Sequence, residues 1–160
     1  MQTFLPYKNF EKSAQVLDWR RLGKQRVEGM QIINAIEQKP RKDGKPYKVW
    51  VNHPCSVMWK HYVPALKHYT NIIITEWINR GYNNNMEFYE TDKIVMPHWL
   101  GDERVHSSHR ANLLRKDSEW YGQYGWDEAS RDVETAPYVW HDIDGKFYEQ
   151  LVGTGVRNYL

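Results

Sequence analysis

Residues 13–38, SAQVLDWRRLGKQRVEGMQIINAIEQ, decide the fold, because their apolar side chains recur at helical spacing. The members of this apolar stripe are Val16, Val27, Met30, Ile33 and Ile36. The spacing predicts an amphipathic helix that begins after an N-cap at Ser13 and ends near Gln38. Gly23 and Gly29 weaken this helix, and close approach of another backbone is the usual reason to find glycine there.

Two more stretches carry helical spacing. The second begins near Pro54 and runs to Arg80 and Gly81, where the glycine provides a C-terminal stop, and Pro64 should kink it or mark a restart. The third covers Asp102 or Val105 to Lys116. Between these two, residues 86–93 are expected to form a short helix.

The last third of the chain has a different pattern. Tyr138–Gln150 has β-type residues on both sides of Asp144 and Gly145, which is a two-residue hairpin signal. No internal repeat or low-complexity linker is visible. We therefore predict an all-α fold in a single domain, residues 1–160, with three main helices and a small C-terminal β-hairpin. Residues 1–126 would form the helical core and residues 127–160 an acidic extension.

Composition limits the class of protein. The single cysteine, Cys55, excludes an internal disulfide framework. The longest aliphatic run, residues 72–74, is far shorter than the roughly 20 apolar residues of a membrane span. No C-x-x-C or H-E-x-x-H spacing is present. These features predict an intracellular, cytoplasmic protein with no membrane partner, no metal and no cofactor, while the oligomeric state stays open.

Charge is unevenly distributed, although the net charge is only +2. Residues 8–26 have six bases against two acids, and residues 104–116 have four bases and no acid. Residues 127–149, in contrast, have seven acids against two bases. This asymmetry is expected if one face of the molecule meets phosphate. The alternative is that the basic segments are solvated helix faces.

Three stretches together resemble the phage pyrimidine-dimer DNA glycosylase/AP lyase family. The first helix matches that family without a gap at Gln15, Leu17, Arg26, Val27 and Gly29. The run 59–83, which ends in EWINRGYN, is similar to the central helix of the family and the turn that stops it. WYGQYG at 120–125 is similar to an aromatic segment near the C-terminus of the family.

The resemblance implies a helix-lined basic cleft in which the free α-amine of the chain attacks C1′ of a damaged nucleotide in DNA and forms a Schiff base. Because Gln2 is bulky, we expect Met1 to be retained and to carry this amine. The family also uses a glutamate in the first helix, and the gapless register places Gly23 there. Glu28 is the nearest acid, but five residues of helix turn it by about 140° from position 23. The sequence therefore predicts weak or absent cleavage.

Two sets of candidate site residues follow. The catalytic candidates are Met1, His53 and His109, since imidazole titrates near neutral pH and could replace the missing carboxylate. The predicted DNA-binding residues are Arg20, Arg21, Lys24, Arg26, Arg110, Lys116, Trp120, Tyr121 and Tyr124.

Each candidate has an alternative role. His53 could simply pack while Asn52 caps the second helix, and the aromatic run could plug the core. His106, His109 and Arg110 share one side of the third helix and could grip phosphate. A metal site completed by His53, Cys55 or His98 is a further possibility.

Three functions stay open at this point. The first is a DNA repair or processing enzyme of the glycosylase/lyase type, acting on duplex DNA with or without an extruded base. The second is a DNA-binding protein of this scaffold that lacks lyase activity. The third is a nucleotide or modified-base enzyme with a relocated site built on His53, His106 and His109.

Overall fold

The computed structural model describes all residues, 1–160. Six α-helices precede a small sheet, and the helices are α1 (Phe10–Val16), α2 (Trp19–Glu37), α3 (Pro54–Trp59), α4 (Val63–Asn79), α5 (Glu103–Lys116) and α6 (Ser118–Tyr121). Two short 3₁₀ helices follow, Gly122–Tyr124 and Asp127–Ser130. The strands are β1 (Tyr138–His141), β2 (Phe147–Gln150) and β3 (Arg157–Tyr159).

The first predicted helix is two helices. Instead of starting after Ser13, α1 starts after Asn9, whose side chain accepts a hydrogen bond from the Lys12 amide at 2.7 Å. The chain then leaves the helical conformation at Leu17, and the Asp18 carboxylate caps α2 through the Arg21 amide. Aspartate and asparagine favour such N-cap positions because their oxygens satisfy free amides. The apolar periodicity runs across this break and hides it.

The predicted central helix also divides, at the position that its proline indicates. α3 ends at Trp59, and α4 restarts with Pro64 in its first turn, where a missing amide proton costs nothing. After α4 ends, the Arg80 guanidinium donates to the carbonyls of Ala14, Gln15 and Leu17 at 2.7–3.2 Å. This contact joins the end of α4 to the carbonyls at the C-terminal end of α1.

Close packing of α4 explains the two glycines in α2. A Cβ on Gly29 would lie 2.4 Å from Thr70 Oγ1, and one on Gly23 would lie 2.8 Å from the ring of Trp77. The sequence analysis expected another backbone to approach these glycines, but their nearest neighbours are side chains of α4. Gly23 and Gly29 therefore mark the face of α2 that packs against α4.

The fold is mostly helical with a small antiparallel sheet, so all-α is too simple a description. The predicted hairpin is present as β1 and β2, with Trp140 opposite Tyr148, and β3 adds a third strand beside β2. The third predicted helix is α5, but residues 86–93 form no helix. No helix has the length and apolar character needed to cross a membrane.

Candidate active site

The first residues of the chain run through the core without a strand partner. Residues 2–5 are buried and belong to no helix or strand, so side chains must satisfy their backbone groups. The Phe4 amide donates to Gln25 Oε1 at 2.9 Å, and the Tyr69 hydroxyl donates to the Phe4 carbonyl at 2.8 Å. Gln25 Nε2 donates to the Gln2 carbonyl at 2.8 Å. These contacts fix the start of the chain against α2 and α4.

Two histidines of α5 hold the same segment from the other side. The Leu5 amide donates to His109 Nδ1 at 2.9 Å, and His106 Nδ1 lies 2.7 Å from the Leu5 carbonyl. His106 Nε2 accepts from the Gly101 amide, so its proton is on Nδ1. Burial, then the neighbouring His106 and Arg110, lowers the pKa of His109 to about 3. Both rings therefore bind backbone and do not form a phosphate grip.

A carboxylate lies beside this fixed chain start. Glu28 Oε2 accepts from the Gln2 backbone amide at 3.2 Å and from Gln25 Nε2 at 3.1 Å. Lys24 Nζ lies 3.9 Å from the other oxygen of Glu28. Glu28 therefore faces the start of the chain, although the sequence analysis had disfavoured it because of its rotation from position 23. A carboxylate in this position can receive or return a proton at any group that reacts near the chain start.

Met1, Gln2 and Glu28 open onto one cleft of about 720 Å³. The basic side chains that line it are Arg20, Arg21, Lys24, Arg115 and Lys116. Only Arg21 and Lys24 among these make ion pairs, with Asp18 and Glu28 respectively. Several cations without carboxylate partners are the electrostatic signature of a site for an anion.

Lys116 and Arg115 show how concentrated this charge is. Arg115 is held by a neutral group, the Asn112 amide oxygen, at 3.1–3.3 Å. The pKa of Lys116 is lowered by desolvation within the cleft and then by the nearby charges of Arg115, Arg21 and Lys24. Bringing a phosphate into the cleft would relieve this repulsion.

Two predicted DNA-binding bases lie outside the cleft. Arg110 is partly buried and forms a two-point ion pair with Glu128, at 2.9 and 3.2 Å, while Nη1 donates to the Pro6 carbonyl. Arg26 lies over the Trp77 ring at 4.4 Å and donates to Asn84 Oδ1. Both guanidinium groups are occupied by the protein, so neither placement supports phosphate contact.

The aromatic run divides between cleft and core. Trp120 is partly exposed and lines the cleft, with its Nε1 donating to the Val16 carbonyl at 2.8 Å. Tyr121 is fully buried, and its hydroxyl donates to Asp18 Oδ1. Tyr124 stacks on Trp126 with ring centroids 5.5 Å apart, outside the cleft. Of the three predicted base-stacking residues, only Trp120 faces the cleft.

His53 lies close to the chain start. It is itself the N-cap of α3, in place of Asn52, because its Nδ1 accepts from the Cys55 amide at 3.1 Å. Burial, and then the positive charge of the α-amino group, lowers the pKa of His53 to about 4. The Cys55 thiol is buried, which raises its pKa to about 11. No group of three or more histidine, cysteine or acidic side chains is arranged to hold a metal ion.

One protein family, described as pyrimidine dimer DNA glycosylase, matches residues 1–90, more than half of the 160-residue chain. The chain belongs to this family. No curated protein and no solved structure matches it. The match covers the buried N-terminal segment and the helices α1 to α4, whereas Arg115, Lys116 and the sheet lie beyond it.

Family membership makes the position of the helical carboxylate important. In the gapless register the position of the glutamate is Gly23, but Gly23 faces Trp77 and α4. A side chain about 140° farther round α2 faces the N-terminal segment, and Glu28 is there. The sequence analysis gave the correct rotation of about 140° between positions 23 and 28. Its error was to expect the carboxylate on the face of Gly23, which packs against α4.

The residues of the cleft that were not among the predicted site residues include Gln25, Glu28, Arg115 and Tyr138. Gln25 and Glu28 could have been found from their spacing, since they are one helical turn apart. Arg115 precedes the predicted Lys116 and belongs to the same basic segment. Tyr138 gave no signal, because only the folding of β1 against α5 brings it to the cleft.

Proposed function

We propose that this chain is a DNA glycosylase with associated AP lyase activity, in which the α-amine of Met1 is the nucleophile and Glu28 the proton-transfer group. Membership of the pyrimidine dimer DNA glycosylase family supports DNA as the substrate and a role in DNA repair. The observation that carries the proposal is the 3.2 Å contact between Glu28 and the Gln2 amide inside a cation-lined cleft.

In the proposed reaction an imine between the enzyme and the sugar first replaces the base, and β-elimination then cleaves the strand. The neutral α-amine attacks C1′ of an altered pyrimidine nucleotide, the C1′–N bond breaks, and the base leaves with the bonding pair and a proton. The nitrogen then gives up one proton, the C1′–O4′ bond breaks as O4′ takes up a proton, and a protonated imine joins the nitrogen to C1′ of the ring-opened sugar. A base then removes a C2′ proton, the C3′–O bond breaks, and the 3′ phosphate leaves. Water hydrolyses the imine and releases the enzyme.

Glu28 is positioned for both proton transfers. It accepts hydrogen bonds from the Gln2 amide, which directly follows Met1 in the chain, and from Gln25 Nε2, and Lys24 Nζ lies 3.9 Å from its other oxygen. A carboxylate there also stabilises positive charge that develops on the sugar and on the iminium nitrogen. The expectation of weak cleavage rested on two grounds, the missing carboxylate and the retained Met1, and Glu28 answers only the first of them.

The basic residues of the cleft would bind the DNA backbone. Arg20, Arg21, Lys24, Arg115 and Lys116 surround the opening beside Met1 and Glu28. Phosphate contacts give affinity and position the duplex without reading its sequence. The alternative site built on histidines is disfavoured, because His106 and His109 are both occupied by the Leu5 backbone.

Borohydride trapping on a duplex that contains an abasic site tests the proposal. We expect a covalent complex whose proteolytic map places the DNA on the N-terminal peptide, and the mass of that peptide identifies the residue that carries the amine. Reductive methylation of the α-amine should abolish trapping. Efficient strand cleavage by a protein with a blocked α-amine would overturn the mechanism, and trapping on an internal lysine would assign the nucleophile elsewhere.

A further inference from the structure

Trp50 has an unusual combination of backbone conformation and exposure. Its φ is +65°, in the left-handed region, where a bulky residue is rare. Its side chain is nevertheless 40% exposed, so burial of the indole does not compensate for the strain. Such a conformation is strained and persists only when its surroundings impose it. The carbonyl of Trp50 is held by the Ser56 hydroxyl at 2.6 Å and the His53 amide at 3.1 Å.

Aromatic rings connect Trp50 to the wall of the cleft. The Trp50 and His53 rings meet edge to face with centroids 5.5 Å apart, and His53 meets Trp140 in the same way at 5.9 Å. Trp140 lies 5.5 Å from Tyr138, which lines the cleft. His53 itself lies within electrostatic reach of the α-amino group. Trp50 is therefore the exposed end of an aromatic wall that begins beside the proposed nucleophile.

The loop before Trp50 carries the charge expected of a nucleic-acid surface. Residues 39–48 contain five exposed bases and one acid, Asp43. The bases are Lys39, Arg41, Lys42, Lys45 and Lys48. Only Arg41 makes an ion pair, with Asp43 at 3.5 Å. An exposed aromatic ring that closely follows unpaired cations in the chain provides the two features that bind single-stranded nucleic acid, a stacking surface and positive charge.

We propose that Trp50 is a base-stacking residue that holds a nucleobase of the DNA after it has left the helical stack, while the preceding basic loop contacts the adjoining phosphates. The inference rests on the proposed function and adds to it a second DNA contact, outside the cleft. Stacking on Trp50 would keep the duplex open while the sugar is presented to the α-amine. The base is bound through its flat face, so the contact selects for an unpaired base and not for one sequence.

The test compares DNA affinities of the full chain by fluorescence anisotropy at several salt concentrations. One duplex is fully paired, and the other has an unpaired base opposite an uncleavable abasic analogue. We expect Trp50→Ala to weaken binding to the second duplex by about 10-fold or more. The slope of log affinity against log salt should not change, because no phosphate contact is lost. Trp50→Phe should retain most of the affinity, and Phe88→Ala, which removes another exposed ring, should retain all of it.

Trp50→Gly separates stacking from packing. Glycine accepts a positive φ without strain, so this variant should keep or raise the unfolding temperature while losing as much affinity as Trp50→Ala. Wild-type affinity in Trp50→Ala, or a parallel loss of stability and affinity in Trp50→Gly, would overturn the inference and leave the proposed function intact. Wild-type protein that shows no salt-dependent DNA binding would overturn both.

Discussion

The carboxylate of Glu28 lies 3.2 Å from the backbone nitrogen of Gln2, although 26 residues separate them in the chain. Gln25, one turn earlier in α2, bonds to both residues at once. The start of the chain and the acid of α2 therefore form one hydrogen-bonded unit.

Glu28→Gln should lower the rate of borohydride trapping and of strand cleavage by about 10²-fold or more, because it removes a positioned charge from the developing sugar cation. The amide can still accept from Gln2, so the fold should persist and affinity for an uncleavable abasic analogue should change little. Glu87→Gln, at an exposed acid, serves as the control. Wild-type rates in Glu28→Gln would remove Glu28 from the mechanism.

Gly23→Ala should destabilise the protein without affecting its chemistry. The new Cβ would lie 2.8 Å from the Trp77 ring, and such overpacking typically costs about 1–3 kcal/mol. Urea unfolding measures the loss, with Gly122→Ala as the control, since a Cβ at Gly122 meets nothing within 4 Å. Trapping rates measured well below the unfolding midpoint should equal those of the wild type. A reduced trapping rate in fully folded Gly23→Ala protein would instead show that position 23 belongs to the active site.

Arg110→Ala should act on stability and not on DNA binding. The Arg110 side chain is 12% exposed and the Glu128 side chain 4%, so the substitution leaves a buried carboxylate unpaired at a cost of about 3–5 kcal/mol. Combining Arg110→Met with Glu128→Gln should restore part of the stability, because no buried unpaired charge then remains, and Glu103, the other partner of Arg110, is exposed to solvent. An Arg110→Ala protein of normal stability that shows a reduced salt slope would mean that Arg110 contacts phosphate.

The salt dependence of DNA binding should report on the cleft cations individually. Lys24→Ala and Lys116→Ala should each reduce the slope of log affinity against log salt by roughly 0.9, the value for one phosphate contact. Lys93→Ala, at an exposed lysine outside the cleft, should leave the slope unchanged. If Lys24→Ala and Lys116→Ala both kept the wild-type slope, the cleft would not be the DNA-binding surface.

Acid should destabilise the protein through His109. Its pKa is about 3 in the folded chain against an ordinary value of 6.5, so the unfolded chain takes up the proton more readily. The corresponding stability is present in full above about pH 6.5 and falls by about 1.4 kcal/mol per pH unit as the pH drops toward 3.

His109→Asn isolates this effect, because asparagine can accept from Leu5 but does not titrate. Between pH 6.5 and 4.5 the free energy of unfolding should decline less steeply for the variant than for the wild type, since the carboxylates titrate in both proteins alike. Chemical unfolding at each pH gives both curves, and identical slopes would contradict the burial of a neutral His109.

Local sequence signals predicted those parts of the fold that local forces determine. Pro64 marked the restart of α4, and Asp144 with Gly145 marked the hairpin. The break before α2 also had a local signal, since Asp18 is a good N-cap, but the apolar spacing continues across it. The sequence did not show which of Arg110 and Arg115 is available to bind phosphate. Arg110 is neutralised by Glu128, which is 18 residues away in the chain, whereas Arg115 has no acidic partner. The burial of residues 2–5 depends on three helices at once, which no short pattern records.

Because residues 2–5 are held by three helices, catalysis requires a completely folded chain. Gln25, Tyr69, His106 and His109 hold this segment only when α2, α4 and α5 are all in place. A partly folded chain would leave the reactive end untethered, even with most of its helices formed. During refolding, trapping activity should therefore return with the slowest phase, after the helical circular dichroism signal.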